Sequence, residues 1–246
     1  MIKKIAFFLF LVVILPVNAT DYDQLAVKAQ RFYRYGEWPS AIAMYQLMLE
    51  QKPGAPSTYC HAIMASAKLK QPAEEMRYLR QSMNAGVPLD SVYDGVQTLA
   101  FHDGNATLYE NFLKEAGKTY PWLNRNINAR LLDYYCWRND ATGMITYADK
   151  MLTGAPNNIK FLTALADGCF MNGFIDRGLI AYQTILSLQP DNYHALLVLG
   201  NYYFDCGVND HSDKEAQILA AQYLSKAYTL HPTPYLKTRL ESLHRQ

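Results

Sequence analysis

The 246-residue sequence lacks the short motifs that mark the common catalytic sites. It contains no G-x-S-x-G nucleophile turn, no H-E-x-x-H zinc motif, no Walker loop and no G-x-G-x-x-G dinucleotide fingerprint. Its histidines are scattered, and the nearest approach to a ligand cluster is Asp210, His211 and Asp213, a polar stretch of a kind that is more often a solvated loop than a metal site. The sequence therefore predicts no enzyme activity, no cofactor and no metal.

The sequence also has little net charge and no apolar run of membrane-spanning length. Its 23 basic and 22 acidic residues give +1, which becomes −1 if Lys3 and Lys4 are removed. Because nucleic-acid binding calls for a clustered basic surface, this balance argues against nucleic acid as a partner. The apolar run at residues 5–15 is shorter than the roughly 20 residues of a membrane span.

That apolar run has the setting of a secretory signal peptide. It follows the basic Lys3-Lys4 and precedes the small-residue pattern Val17-Asn18-Ala19. We expect cleavage after Ala19, which divides the chain into a signal peptide at 1–19 and a mature protein at 20–246 with no membrane span. No cysteine follows the run to accept a lipid, so the predicted location is secreted or periplasmic. An uncleaved anchor is the alternative.

Cysteine is scarce, with only Cys60, Cys136, Cys169 and Cys206. An even count in an exported protein raises the question of disulfides. Buried free thiols that behave as small hydrophobic groups are the favoured interpretation. Cys136 and Cys169, which are 33 residues apart by subtraction, form the single pair that we would accept as bonded.

What the sequence does contain is helical periodicity, most clearly in residues 159–190. Gly173 divides this stretch into two halves, and Pro190 ends it. Within each half, small and bulky apolar residues recur every three or four positions and so share one helical face. These residues are Leu162, Leu165, Ala166 and Cys169 in the first half, and Gly178, Tyr182 and Ile185 in the second.

Prolines repeat the unit along the chain. They lie at Pro53, Pro88, Pro121, Pro156, Pro190 and Pro232. The steps between them are 35, 33, 35, 34 and 42 residues by subtraction, so only the last contains an insertion. This period, together with the small and bulky positions, resembles the tetratricopeptide repeat. The predicted repeats are 22–53, 56–88, 90–121, 125–156, 159–190 and 193–232, with a capping helix at 233–246.

The resemblance implies the fold class: an all-α, right-handed α-α superhelix of about six tetratricopeptide-like helix pairs plus a C-terminal capping helix. Two places depart from the regular unit. Gly95 interrupts the first helix of the third repeat, so we expect an irregular point there. In the last repeat, the capping pattern from Ser212 to Glu215 predicts that the insertion lengthens the start of the second helix after a turn at 209–211.

The resemblance also implies where a partner binds. In such arrays the first helices line the concave face, which commonly holds an extended peptide or a helix. Trp137, Phe170 and Phe204 would form an aromatic ladder for this protein partner. The predicted partner-binding residues are Asp23, Gln30, Tyr33, Arg34, Asp133, Trp137, Lys160, Asp167, Phe170, Met171, His194, Asn201, Phe204 and Asp205, with Asn126 on the same face.

Two further points concern the partner. Family members that hold chaperone carboxyl termini use Lys and Asn at fixed first-helix positions, and this chain has Ala26 and Gln30 at the first such pair; only Asn201 matches one position. That departure argues against chaperone tails. The alternative function is a structural or assembly subunit of a cell-envelope complex, which would use the convex face and the ends of the array.

Overall fold

The computed structural model describes residues 21–209 and 213–243, and these residues form thirteen α-helices, one short 3-10 helix and no strand. The predicted signal peptide at 1–19, Asp210 and His211 of the predicted solvated loop, and the predicted cap Ser212 lie outside the described residues. None of the described helices is long and apolar enough to cross a membrane.

The helices follow one another in pairs that fall between the repeating prolines. The first helices of the pairs are α1 (Tyr22–Arg34), α3 (Pro56–Lys68), α5 (Leu89–His102), α7 (Asn124–Arg138), α9 (Ile159–Met171) and α11 (Tyr193–Asn209). The second helices are α2 (Trp38–Gln51), α4 (Pro72–Asn84), α6 (Ala106–Thr119), α8 (Ala141–Leu152), α10 (Ile175–Leu188) and α12 (Lys214–Leu230), and α13 (Pro234–Leu243) ends the series. The predicted all-α array of tetratricopeptide-like helix pairs is confirmed.

The turns inside the first five pairs share one backbone conformation. Each contains a residue with positive φ, a region that favours glycine and tolerates asparagine. The residue after it donates its backbone N–H to the carbonyl five residues earlier, at 2.9–3.0 Å, which satisfies a helix-end carbonyl. The turn residues are Gly36 (φ 76°), Lys70 (57°), Gly104 (65°), Asn139 (51°) and Gly173 (78°), spaced 34, 34, 35 and 34 residues apart by subtraction.

The described helices group into two compact units, and the boundary lies within α6. Unit 1 ends at Phe112 and unit 2 begins at Leu113. In unit 1 the prediction that Gly95 interrupts its helix is wrong, because α5 runs unbroken from Leu89 to His102. A Cβ atom at Gly95 would lie 2.4 Å from the sulfur of buried Cys60. The glycine therefore allows α5 to pack closely against α3.

Unit 2 uses glycine in the same way. Built Cβ atoms would lie 2.2 Å from the Tyr135 ring at Gly143 and 2.4 Å from the Phe170 ring at Gly178. Each second helix therefore accommodates an aromatic ring of its first helix, which a larger residue would displace. The insertion of the last pair lengthens both helices, since α11 and α12 have 17 residues each. The cap of α12 is Asp213, whose carboxylate accepts the N–H of Ala216 at 2.9 Å.

The last helix covers the end of unit 2. Leu236 of α13 is fully buried against Leu196 and Leu224, and Leu240 and Leu243 pack around the same cluster. The predicted capping helix thus lies on apolar surface that would otherwise be exposed. The four cysteines, Cys60, Cys136, Cys169 and Cys206, are all free.

Candidate partner-binding face

The three first helices of unit 1 line a cavity of about 570 Å³. This groove cavity is bordered on one side by α1, in the middle by α3 and on the other side by α5, with one aromatic ring from the start of α2. Its lining residues are Gln30, Tyr33, Arg34, Trp38, His61, Lys68, Thr98, Leu99, His102 and Asp103.

The base of the groove cavity is a bonded cluster around Asp103. The Tyr33 hydroxyl donates to the Asp103 carboxylate at 3.0 Å, and the Lys68 ammonium pairs with it at 2.9 Å. Burial raises the pKa of Asp103, but hydrogen bonds from Lys68 and Tyr33 outweigh it and hold that pKa below its ordinary value. The Tyr33 ring meets Trp38 edge-on at 5.1 Å and His61 at 5.4 Å. These contacts fix the aromatic surface in place.

The rim of the groove cavity is basic. Arg34, Lys68 and His102 each stand two residues before a positive-φ turn residue, so they occupy equivalent positions in three successive repeats. Arg34 is exposed and forms no ion pair within the described residues. The His102 side chain is 85% exposed. Of these three side chains, Arg34 is therefore an exposed cation in the same cavity as the aromatic rings, while Lys68 is paired with Asp103.

A second, smaller cavity of about 250 Å³ adjoins the first and shares Gln30 and His61 with it. At this slot the buried Tyr45 hydroxyl has no hydrogen-bond partner in the described part of the chain. His61 is oriented by a 2.8 Å hydrogen bond between Nδ1 and the Ser57 carbonyl, and its ring lies 5.6 Å from that of Tyr45. The slot is lined by Tyr22, Ala26, Gln30, Tyr45, Met48, Ser57, Thr58 and His61.

In unit 2 four of the predicted partner-binding residues bond to one another in two pairs. Asp133 pairs with Lys160 at 2.5 Å and links α7 to α9. The Asp167 carboxylate lies 2.9 Å from His194 Nε2, which links α9 to α11, and it also accepts the Tyr182 hydroxyl. This hydrogen bond with Asp167 raises the pKa of His194, while partial burial opposes the shift.

The same pattern continues to the end of unit 2. The Tyr235 hydroxyl of α13 donates to the Asn201 side chain at 3.0 Å, and Arg239 pairs with Asp205 at 3.0 Å. The Arg239 guanidinium also lies 4.4 Å from the centre of the Phe204 ring. The capping helix therefore covers the part of α11 that the sequence predicted as groove.

The three residues of the predicted aromatic ladder, Trp137, Phe170 and Phe204, are not all exposed as expected. Trp137 is 58% exposed and Met171 is 52% exposed, but Phe170 packs edge-on against Tyr182 at 5.5 Å and Tyr202 at 5.8 Å. The prediction that Phe170 is exposed is wrong, because Gly178 leaves room for its ring between the helices. Phe204 is half-buried beneath Arg239.

Of the residues predicted in the first repeat, the structure brings Gln30, Tyr33 and Arg34 into the groove cavity. Asp23 is exposed in the first turn of α1 and lines neither cavity. In the fourth repeat, Asn126 accepts a hydrogen bond from Arg130 on its own helix.

The sequence prediction missed the contributions of the second and third repeats. His61, Lys68, Thr98, His102 and Asp103 all line the groove cavity. The 34-residue spacing of Arg34, Lys68 and His102 is a signal that could have found two of them. In the part of the chain that the structure describes, no group of three or more His, Cys, Asp or Glu could hold a metal ion.

No protein-family model matches this chain, and no curated protein matches it. Among solved structures, it is similar to the C-terminal part of a TPR repeat-containing protein from Cytophaga hutchinsonii, with 14% identity, a TM-score of 0.47, and coverage of 85% of this chain and 78% of that one. A TPR repeats protein from Bacteroides fragilis has 17% identity and a TM-score of 0.42, with 92% and 99% coverage. PilF from Pseudomonas aeruginosa has 14% identity and a TM-score of 0.45, with 90% and 96% coverage.

Proposed function

We propose that the protein is a non-enzymatic interaction module whose unit 1 binds a segment of a partner protein along α1, α3 and α5. One observation carries the proposal: three successive first helices line one groove cavity of about 570 Å³, and the equivalent residues Arg34, Lys68 and His102 all belong to its lining. The leader-like start of the sequence supports an exported location for this module.

The geometry fits a short extended segment better than a large domain surface. Neighbouring helix axes are about 10 Å apart, so crossing three first helices takes roughly six extended residues at about 3.4 Å each. Trp38 and Tyr33 offer an aromatic surface for one apolar side chain, and the basic rim favours a segment with acidic character. Fixed aromatic rings reduce the entropy lost when the segment binds.

Site-specific cross-linking tests this function. A photoreactive residue placed at Thr98, which is exposed on α5 and lines the groove cavity, should cross-link a partner segment in extracts of the native compartment. The matched control is a photoreactive residue at Gln222, which is exposed on α12. Arg34→Glu should reduce the cross-link at Thr98 without changing the melting temperature, because Arg34 is exposed and has no ion-pair partner among the described residues.

Mass spectrometry of the cross-linked product identifies the segment. Cross-links found at Gln222 and absent at Thr98 would contradict the groove proposal and would favour the envelope-subunit alternative, in which the second helices carry the contacts. A cross-link at Thr98 that is indifferent to Arg34→Glu would show that the basic rim has no part in binding.

A further inference from the structure

Asparagine followed two positions later by serine or threonine is the acceptor pattern for N-linked glycans in exported proteins. The pattern occurs at two places in this chain, Asn18-Ala19-Thr20 and Asn105-Ala106-Thr107. The predicted cleavage after Ala19 would divide the first of them. Asn105 is therefore the acceptor asparagine of the predicted mature protein, and none of its other asparagines has a hydroxyl residue two positions later.

The structure places this pattern at the surface of unit 1. Asn105 lies in the turn between α5 and α6, and Thr107 lies in the first turn of α6. Both residues are exposed. The space beside them is open, since a Cβ atom built at Gly104 would have no non-adjacent atom within 4 Å. A bulky group on Asn105 would therefore extend into solvent without displacing a helix.

The Asn105 side chain is not needed to cap its helix. Three helices of unit 2 begin after an Asn or Asp whose side chain accepts a backbone N–H of the helix. These residues are Asp140 before α8, Asn158 before α9 and Asp213 before α12. Asn105 stands at the same place before α6, but its side-chain amide forms no hydrogen bond within the described residues. Modification of that amide therefore breaks no contact of the fold.

We propose that Asn105 is an N-glycosylation site. The donor is an oligosaccharide joined through its first sugar carbon to a polyprenyl diphosphate. The Asn105 amide nitrogen forms a bond to that carbon, and the bond between the carbon and the diphosphate oxygen breaks. The amide gives up one proton to a base of the transferase, and nothing is oxidised or reduced. Thr107 supplies the hydroxyl that completes the acceptor pattern.

The position also suits an enzyme that must bind its acceptor as a short stretch of chain. Helix ends fray more readily than helix centres. The first turn of α6 is closed by a hydrogen bond from the Leu108 N–H to the Asn105 carbonyl at 3.0 Å. Opening this end of the helix presents Asn105 and Thr107 together and leaves the rest of α6 in place.

The glycan would stand beside the groove cavity without filling it. His102 and Asp103 line the cavity, whereas neither Asn105 nor Thr107 does. The inference rests on the exported location proposed above and does not rest on binding in the groove. Loss of the glycan in Asn105→Gln should therefore leave the partner cross-link at Thr98 in place.

Mass spectrometry of the full protein, purified from the cells that produce it, tests the inference. The peptide that contains Asn105 should be heavier than its sequence by a whole number of sugar residues. Fragment spectra should retain the innermost sugar on Asn105. The same sample gives the N-terminal residue of the chain, which reports whether the predicted signal peptide has been removed.

Substitutions at exposed positions make the test specific to the acceptor pattern. Asn105→Gln and Thr107→Val should each abolish the added mass, whereas Thr107→Ser should retain it because the hydroxyl is kept. Asn111→Gln is the matched control, since Asn111 is exposed on the same helix and lies outside the pattern, and it should also retain the added mass. Melting curves of the four variants should stay close to that of the parent.

An Asn105 peptide at its sequence mass, or an added mass that persists in Asn105→Gln, would overturn the inference. If the chain begins at Thr20 and Asn105 is unmodified, the exported location stands and the glycosylation inference falls. If the chain begins at Met1 and Asn105 is unmodified, the predicted signal cleavage fails as well. A glycan on Asn105 together with no cross-link at Thr98 would support the modification and contradict the groove proposal.

Discussion

Units 1 and 2 are built from the same helix pair but use its first-helix face differently. Two residues before the turn, unit 1 has Arg34, Lys68 and His102, while unit 2 has the exposed Trp137 and Met171. Arg34, His102, Trp137 and Met171 are exposed at this position, whereas the Lys68 side chain is only 20% exposed and pairs with Asp103. The comparison teaches that the repeat specifies the backbone and does not fix the residue type at this position.

The two units differ more at a second first-helix position, which Gln30 occupies in repeat 1 and Asp167 in repeat 5. In unit 2, Asp133, Asp167 and Asn201 each bond to the first turn of the next first-type helix, through Lys160, His194 and Tyr235. In unit 1, Gln30 makes no such bond within the described residues, and a cavity lies beside it. Unit 2 thus uses these polar groups to join its repeats, whereas the Gln30 side chain of unit 1 does not join its repeat to the next one.

The largest expected effect is loss of a buried ring from unit 2. Tyr182 is fully buried, so Tyr182→Ala should lower the free energy of unfolding by about 3–5 kcal/mol. Urea unfolding measures this change. Met171→Ala, at an exposed position of the same unit, is the matched control and should stay within about 0.5 kcal/mol of the parent. Equal effects would mean that Tyr182 does not pack as described.

Tyr45 of α2 and Tyr182 of α10 occupy the same position in their helices, but their hydroxyl groups should differ in their contribution to stability. Tyr182→Phe removes a bond to the Asp167 carboxylate and should cost about 1–2 kcal/mol. Tyr45→Phe removes a hydroxyl that has no hydrogen-bond partner in the part of the chain that the structure describes, so it should be neutral or slightly stabilising. Thermal melting of the two variants beside the parent gives the comparison. A loss of stability in Tyr45→Phe as large as that in Tyr182→Phe would contradict the contrast between the units.

The interaction between His194 and Asp167 should make the free energy of unfolding depend weakly on pH. Asp167 raises the pKa of folded His194 above its ordinary value of 6.5, so folding favours the protonated imidazole. The contribution is therefore fully present below about pH 6.5 and is lost as the pH rises through the folded pKa. Because the His194 side chain is 50% exposed, solvent screening limits the effect to about 0.5 kcal/mol.

Unfolding free energies of the parent and of His194→Gln, measured from pH 5.5 to 8.5, should converge towards the alkaline end. A difference between the two proteins that grows with pH would reverse the sign of the argument. Asp167→Asn should abolish this pH-dependent contribution in the protein that retains His194, because it removes the charge that holds the proton on the imidazole.

The smallest expected effect comes from the ion pair between Lys160 and Asp133. Both side chains are more than half exposed, so Lys160→Ala should cost about 0.3 kcal/mol or less in urea unfolding. It should also leave the Thr98 cross-link unchanged, since Lys160 lies in unit 2. A large loss of partner binding in Lys160→Ala would place recognition in unit 2.

The sequence predicted the helices well and the lining of the groove cavity poorly, for identifiable reasons. Periodic apolar residues and repeating prolines are local signals, and they located the helix pairs. The degenerate second and third repeats concealed His61, Lys68 and Asp103, because their core pattern did not indicate the register of the helices. Phe170 was predicted to be exposed, but its ring packs into the space that Gly178 leaves on the second helix. This contact between two helices is not visible in the residue pattern of either helix alone.

The sequence by itself determined that the chain is an all-α series of helix pairs, because period, capping and turn residues act within a few residues of one another. It also determined the basic position two residues before each turn of unit 1, although only the spacing of Arg34, Lys68 and His102 reveals it. Tertiary structure alone decided which polar side chains bond across repeats and which stay free. Asp167 and Gln30 are both ordinary helix-surface residues in the sequence. Only the packing shows that the Asp167 carboxylate accepts the hydroxyl of buried Tyr182, whereas within the described residues the Tyr45 hydroxyl has no hydrogen-bond partner.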